Sequence, residues 1–260
     1  MELVDTHAHL DFPQFDSDRE ALIAALAAEQ IRVINISTSV ESISRVVELA
    51  KNNPLIWATV GIHPTDVTES LLTEIPSLLE EWAALIKTEP KIVGIGEIGL
   101  DYYHDRSSSA AENQKAALRQ FLTFALENKL PVSCHCRDAY GDLITILGDY
   151  PDLRGVIHCF SGTLEQAEAF LNLNFHLSCT AIIGYPGNDA LRTVVKAIPL
   201  NRLMLETDCP FLPPADRRGQ RNDPRTVRDI LDLVADIKQT TPKAVAEATS
   251  QTAKKLFNIN

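Results

Sequence analysis

Five of the seven histidines sit in short clusters rich in polar chemistry. The clusters read Asp5-Thr6-His7-Ala8-His9, Gly61-Ile62-His63-Pro64, Cys134-His135-Cys136-Arg137-Asp138 and His158-Cys159-Phe160-Ser161-Gly162. Two more are acidic: Gly96-Glu97-Ile98-Gly99-Leu100-Asp101 and Glu206-Thr207-Asp208-Cys209-Pro210. Imidazole and carboxylate together are divalent-metal ligands. His7 and His9 are two apart, so on an extended segment both point the same way, as two imidazoles on one ion must. Glu97 has two oxygens with which to bridge a pair of ions. His135 and His158 complete a second site, and Asp208 falls beside His7 and His9. The expectation is two sites sharing Glu97, about 3.5–4 Å apart as in two-metal hydrolases. Mixed nitrogen and oxygen donors suit Zn²⁺, Mn²⁺, Co²⁺ or Ni²⁺, whereas Mg²⁺ prefers oxygen and retained water.

Competing chemistries lack their residues. No Cys-x-x-Cys pair exists for a zinc finger. Gly94, Gly96 and Gly99 fall in a glycine-rich register, but it holds Glu97 and no helix pattern follows it directly, as a dinucleotide loop requires. No Gly-x-Ser-x-Gly elbow occurs. Alternation turns Cys134 and Cys136 away from His135, and these two, with Cys159 and Cys209, read as core thiols. His104 and His176 read as hydrogen-bonded surface residues.

Positioning such residues requires a scaffold that brings many strand ends together. Eight brief Val-, Ile- and Leu-rich runs are read as strands: Glu2–Asp5, Arg32–Ser37, Ile56–Gly61, Ile92–Glu97, Pro131–His135, Gly155–His158, His176–Thr180 and Leu203–Thr207. They lack apolar/polar alternation, which suits parallel strands covered on both faces. Amphipathic stretches lie between them, among them Glu20–Ala28, Ser70–Lys87, Gln114–Glu127 and Val227–Lys238. Ser17 with Glu20, Thr38 with Glu41 and Thr163 with Gln166 have capping-box spacing. Asp223-Pro224 and Thr241-Pro242 place a capping residue before a first-turn proline. Eight βα units in 260 residues predict a single (β/α)₈ TIM barrel spanning residues 1–260, with its site at the C-terminal ends of the strands.

The chain carries 35 acidic and 24 basic side chains, a formal net charge of −11. That argues against nucleic-acid binding through a broad basic surface, although a few metal ions in one cleft would reverse the local sign. Five cysteines, an odd count placed mostly in apolar runs, fit free thiols in a reducing, cytoplasmic setting. No targeting segment is expected, because Asp5-Thr6-His7 arrives before a basic or apolar leader could form, and no run is long enough to span a membrane.

With all six clusters in order, extended as Asp5–Asp11, Val60–Pro64, Gly96–Tyr102, His135–Ala139, His158–Gly162 and Leu205–Pro210, the chain resembles the TatD family of metal-dependent deoxyribonucleases, within the metallo-dependent hydrolase superfamily. The resemblance covers essentially the whole chain. It implies metal ligands at His7, His9, Glu97, His135, His158 and Asp208. It also implies a DNA substrate, with several members acting as 3′→5′ exonucleases supplied with Mg²⁺ or Mn²⁺. The wider superfamily often uses a carboxylated lysine as its bridge, so Glu97 points to the nuclease branch. The sequence thus predicts cleavage of phosphodiester bonds in single-stranded DNA or a frayed 3′ end, with no membrane and no obligate protein partner. Asp208 is expected to accept a proton from the attacking water, and His63 to hold the scissile phosphate or protonate the leaving 3′-oxygen. Glu206 should orient a ligand, with Asp101 and Arg137 as further supporting candidates. The loop Pro213–Arg225 reads Arg217-Arg218-Gly219-Gln220-Arg221-Asn222-Asp223-Pro224 where relatives often carry Lys and then Arg-Asn-Glu-Pro. Its Arg217, Arg218 and Arg221 are read as a phosphate clamp, with Arg217 and Arg221 as the substrate-binding candidates. The alternatives are a small-molecule hydrolase for an amide, lactone or phosphoester, or a non-catalytic scaffold keeping the barrel.

Overall fold

The computed structural model describes residues 1–259. Eight parallel strands follow one another around a single sheet: β1 (Leu3–Ala8), β2 (Ile31–Ile36), β3 (Ile56–Val60), β4 (Ile92–Asp101), β5 (Val132–Arg137), β6 (Gly155–Ile157), β7 (His176–Cys179) and β8 (Leu203–Leu205). Sequential order with helical crossovers is the (β/α)₈ barrel. The crossovers contain α1 (Arg19–Ala28), α2 (Val40–Asn52), α3 (Glu69–Thr88), α4 (Ser108–Glu127), α5 (Tyr140–Gly148), α6 (Leu164–Asn172) and α7 (Asp189–Ala197). Helices α8 (Val227–Lys238) and α9 (Pro242–Phe257) follow the last strand. No helix among the described residues is long and apolar enough to cross a membrane.

Alternation along the strands builds two cores. Leu3, Ile31, Val33, Ile56, Ile92 and Leu203 pack in the larger one, with the apolar stripes of the helices. Their neighbours Val4, Ile34, Trp57, Val93 and Met204 turn to the other face and meet Ala253, Phe257 and Ile259. The end of α9 therefore fills the barrel from the N-terminal side, which leaves the C-terminal face for chemistry.

Helix starts follow side-chain oxygens that accept orphan backbone N–H groups. Thr163 and Gln166 form the capping box of α6, and Thr241 caps α9 ahead of Pro242. At α2 the box is Ser39 with Ser42, one residue past Thr38. Asp18, not Ser17, precedes α1, and its side chain makes no capping bond. Asp223 accepts from the Arg225 N–H and opens a 3₁₀ turn, Pro224–Thr226, that leads into α8. Helix α4 begins six residues before Gln114 because Ser107 caps it.

The seam between the last and first strands closes by long-range bonds instead of a full ladder. Ala8 bridges Cys209, the Asp208 N–H donates to His7 O at 2.9 Å, and the His9 N–H donates to Cys209 O at 2.9 Å. Below them the buried Asp5 carboxyl accepts from the Thr207 N–H at 2.9 Å and lies 2.6 Å from Thr207 Oγ1. Burial pushes its pKa up to about 8, against the lowering effect of these hydrogen bonds. The folded protein thus holds a proton that the unfolded chain releases near pH 4. Stability from this group is complete at low pH and is lost as pH rises through the window from about 4 to 8. The wild type is therefore expected to lose about 1 kcal/mol per pH unit across that window relative to Asp5→Asn. Thermal melts of both proteins at several pH values check this; a difference independent of pH would refute it.

Candidate metal centre

Two strand irregularities aim the central ligands. The β1–β2 register shifts between Asp5 and Ala8, around His7, and the β4–β5 register shifts between Ile95 and Ile98, around Glu97. Such bulges re-aim side chains at the mouths of barrels. Gly99 lets β4 pass tightly beside β5: its φ is +149°, and a Cβ there would lie 2.0 Å from His135 O. No other residue type fits.

The six expected ligands and His63 converge on one point. Glu97 divides them by its two oxygens. Oε2 lies 3.3 Å from His7 Nε2 and 3.8 Å from His9 Nε2. Oε1 lies 2.9 Å from His135 Nδ1, 3.4 Å from His158 Nε2 and 3.5 Å from His63 Nε2. Asp208 Oδ1 joins the first group, 3.5 Å from His9 Nε2 and 3.8 Å from His7 Nε2. Three donor sets could each hold a metal ion: His7, His9 and Asp208; His7, Glu97 and His158; His63, Glu97 and His135.

Outward hydrogen bonds decide what each ring offers inward. His9 Nδ1 lies 3.0 Å from the Ile36 carbonyl, and His158 Nδ1 lies 3.1 Å from Glu206 Oε1. Each places the proton on Nδ1 and leaves a lone pair on Nε2. His135 is reversed: its Nε2 meets Asp101 Oδ2 at 3.0 Å, which leaves Nδ1 facing Glu97. His7 Nδ1 has Ser133 Oγ at 3.4 Å, and its Nε2 lies 3.2 Å from His9 Nε2. Converging lone pairs at that distance repel unless a cation lies among them. Atoms coordinating one ion at about 2.0–2.1 Å are themselves about 3 Å apart, so the donor set fits a divalent metal.

His63 differs from the others. Its Nδ1 accepts the Thr65 N–H at 3.3 Å and has Thr65 Oγ1 at 2.6 Å. The neutral ring therefore carries its proton on Nε2, the atom turned to the centre. Burial lowers its pKa to about 4, against the raising effect of Glu97. His63 presents a donor to the cavity. For Glu97 burial favours the neutral acid, but the surrounding imidazoles of His63, His7 and His158 lower its pKa overall. Asp208 is likewise lowered against burial, first by the neighbouring His9. Both are carboxylates at neutral pH.

Glu206 is fully buried behind the centre. Its Oε1 accepts from His158 Nδ1 and from the Cys159 N–H at 2.6 Å, so it acts by positioning, without reaching the cavity. The cavity itself holds about 700 Å³, and Glu97, Asp208, His63 and Arg137 are among the residues lining it. Arg137 forms no ion pair among the described residues, and its guanidinium lies 3.8 Å from the Tyr103 ring centroid.

Arg217 and Arg221 do not come to this cavity. Arg217 pairs with Asp229 at 2.7 Å, and Arg221 grips Asp18 through both terminal nitrogens at 2.6 and 2.7 Å. Their acidic partners, distant in sequence, hold them as struts of the loop. Each substitution to alanine should cost about 1 kcal/mol or less, given partial exposure. It should leave substrate KM unchanged within about twofold; a larger rise in KM would restore the clamp reading. Cys159 departs from the core-thiol expectation, since it is half-buried and borders the cavity; Cys136 is buried in the core even though it also borders the cavity, and Cys134 and Cys209 are fully buried. His104 lines the cavity too: its Nδ1 meets Asp101 Oδ2 at 2.8 Å, the same oxygen that orients His135. His176 stands at the start of β7, away from this centre. Asn222 carried no sequence signal of its role: its side-chain amide donates to Thr207 O and Phe211 O, tying the last loop to the end of β8.

The family model described as TatD related DNase matches residues 4–258. The chain belongs to the TatD family. A Bacillus subtilis (strain 168) relative described as the uncharacterized metal-dependent hydrolase YabD is 36% identical, over 99% of this chain and 100% of its own. The 3′-5′ ssDNA/RNA exonuclease TatD of Rahnella sp. (strain Y9602) is 34% identical over 97% of both chains. Among solved structures, the TatD homologue YjjV of Escherichia coli K12 superimposes with a TM-score of 0.89 at 32% identity, covering 99% of this chain and 98% of that one. This TatD chain is accordingly a metal-dependent hydrolase, with histidine and carboxylate clusters able to bind the metal.

Proposed function

We propose that this TatD protein hydrolyses phosphodiester bonds of DNA, removing nucleotides 3′→5′ from a single-stranded or frayed end with two divalent ions. The supporting observation is the split of Glu97: one oxygen faces His7 and His9, and the other faces His135 and His158. His7, His9 and Asp208 would hold one ion, and His135 and His158 the other, with Glu97 shared. Bound divalent ions supply Lewis acidity and lower the pKa of water. Asp208, ionised and at the edge of the first group, takes the proton of the attacking water on a carboxylate oxygen. The His63 Nε2–H donates to a non-bridging phosphate oxygen, and the unpaired Arg137 at the mouth attracts the next phosphate. Glu206 and Asp101 keep His158 and His135 in their inward-facing tautomers. The relative named as a 3′-5′ ssDNA/RNA exonuclease supports the same direction of attack.

The test is metal-free protein restored in turn with Mn²⁺, Mg²⁺, Zn²⁺, Co²⁺ or Ni²⁺, given 5′-labelled single-stranded DNA, matching RNA, a small phosphodiester and a lactone. A ladder of DNA products shortening from the 3′ end is expected. Cleavage of only the small ester or lactone would replace this reading with a small-molecule hydrolase.

A further inference from the structure

Two large aromatic side chains near the catalytic cavity are left open to solvent: Phe211, which lines it, is 46% exposed, and Tyr103, which packs on the lining residues Arg137 and His104, is 48% exposed. They stand on opposite sides. Phe211 follows β8, next to β1 at the seam, whereas Tyr103 follows β4, next to β5. In a ring of eight strands those two pairs face each other across the opening.

The backbone that carries each ring is tied to a residue of the site. The Phe211 N–H donates to Asp208 O at 2.9 Å, and Phe211 O accepts from Asn222 Nδ2 at 2.7 Å. The Tyr103 N–H donates to Asp101 Oδ1 at 2.9 Å. Neighbouring rings support them without covering them. Phe12 stacks on His9 at 4.9 Å and meets Phe211 edge to face at 5.9 Å. No described ring lies parallel to Phe211, so it retains an aromatic face for a ligand. Arg137 covers one face of Tyr103 and His104 meets its ring edge to face at 5.2 Å, while nearly half of the residue stays exposed. Exposed, pre-oriented aromatic faces beside a phosphate-binding centre are how proteins hold unpaired bases without reading their sequence.

We propose that Phe211 and Tyr103 are the two base-stacking platforms of the substrate site, taking the bases on either side of the scissile phosphate. This inference rests on the nuclease reading and deepens it. With the phosphate beneath His63 and Glu97, the released nucleoside lies toward one ring and the remaining strand toward the other. A base can reach either ring only when unstacked from a complement, so the platforms select single-stranded ends. Because stacking is sequence-tolerant, base identity should matter little.

The test compares wild type, Phe211→Ala, Phe211→Trp, Tyr103→Ala and Tyr103→Trp on 5′-labelled oligonucleotides. These carry either an intact 3′ end, an abasic 3′-terminal nucleotide or an abasic penultimate nucleotide. Equilibrium binding is read by fluorescence anisotropy and turnover by product ladders. Wild type should bind the intact strand about 5- to 100-fold more tightly than each abasic strand. Each alanine variant should lose that discrimination at one position, a different one for each, and each tryptophan variant should regain it. Equal binding of intact and abasic strands by wild type, or retained discrimination in both alanine variants, overturns the proposal. Base-dependent binding without cleavage sustains the platforms and removes the nuclease reading. Cleavage with unchanged discrimination in both alanine variants removes the platforms alone.

Discussion

Glu97→Ala is expected to strip the centre of metal and to lower kcat about a thousandfold or more, equivalent to about 4 kcal/mol of lost transition-state stabilisation. Among the described residues, Glu97 is the one side chain whose two oxygens face both nitrogen groups, with His7 and His9 on Oε2 and His135, His158 and His63 on Oε1. Without it, neither group of lone pairs is joined to the other by a negative charge. The imidazoles can remain neutral and buried, so the barrel should stay folded. Metal content after dialysis, read beside the circular dichroism and melting temperature, separates lost binding from lost fold. Asp101→Asn provides the graded comparison. It meets the outer nitrogen of His135, as well as His104 and the Tyr103 N–H, and changes to such supporting partners cost about 10- to 100-fold in affinity or activity. An Glu97→Ala protein that keeps its full complement of metal and its rate would exclude Glu97 as the shared ligand.

The barrel and its chemistry differ in how far they can be read from the chain. The eight strand positions follow from short apolar runs, since burial on both faces leaves a local signature in Val, Ile and Leu. Lengths were less legible. β4 runs on to Asp101, past Glu97, because its pairing with β5 resumes after the bulge at Ile98, and pairing is a property of two strands. The clustering of His and acid residues at strand ends marks the site because the fold converts distant segments into neighbours. What each residue does there depends on contacts with no local sequence period. Thr65 fixes the proton of His63 on the inward nitrogen. Asp229 and Asp18 remove Arg217 and Arg221 from the cavity. Asp101 binds both His135 and His104, so a histidine read as a surface residue lies at the cavity mouth. Ion-pair partners on separate helices cannot be chosen from composition, because every arginine has several acids within reach of some conceivable fold.

Asp208→Asn should lower kcat by about 10²–10⁴-fold with a folded barrel and a smaller loss of metal than Glu97→Ala. Asp208 occupies a left-handed backbone conformation, φ +55°, and its N–H holds the seam through His7 O. Asparagine adopts that conformation readily, so the substitution preserves the backbone where alanine would add strain. The amide also keeps an oxygen where Asp208 Oδ1 faces His9 and His7. What it removes is the negative charge and the capacity to accept a proton. Two effects on kcat follow from one atom group, and added base separates them. The Asp208 pKa lies below its ordinary value, lowered against burial first by the neighbouring His9, so the wild-type carboxylate is ionised throughout the neutral range. A base supplied from solution should then restore part of the variant's rate, in proportion to its concentration, if proton acceptance is the lost function. Imidazole or formate titrated into the Asp208→Asn assay checks this, with metal content measured in the same samples. A rate that follows metal occupancy alone and ignores added base would assign Asp208 to binding the ion and leave proton acceptance to another group.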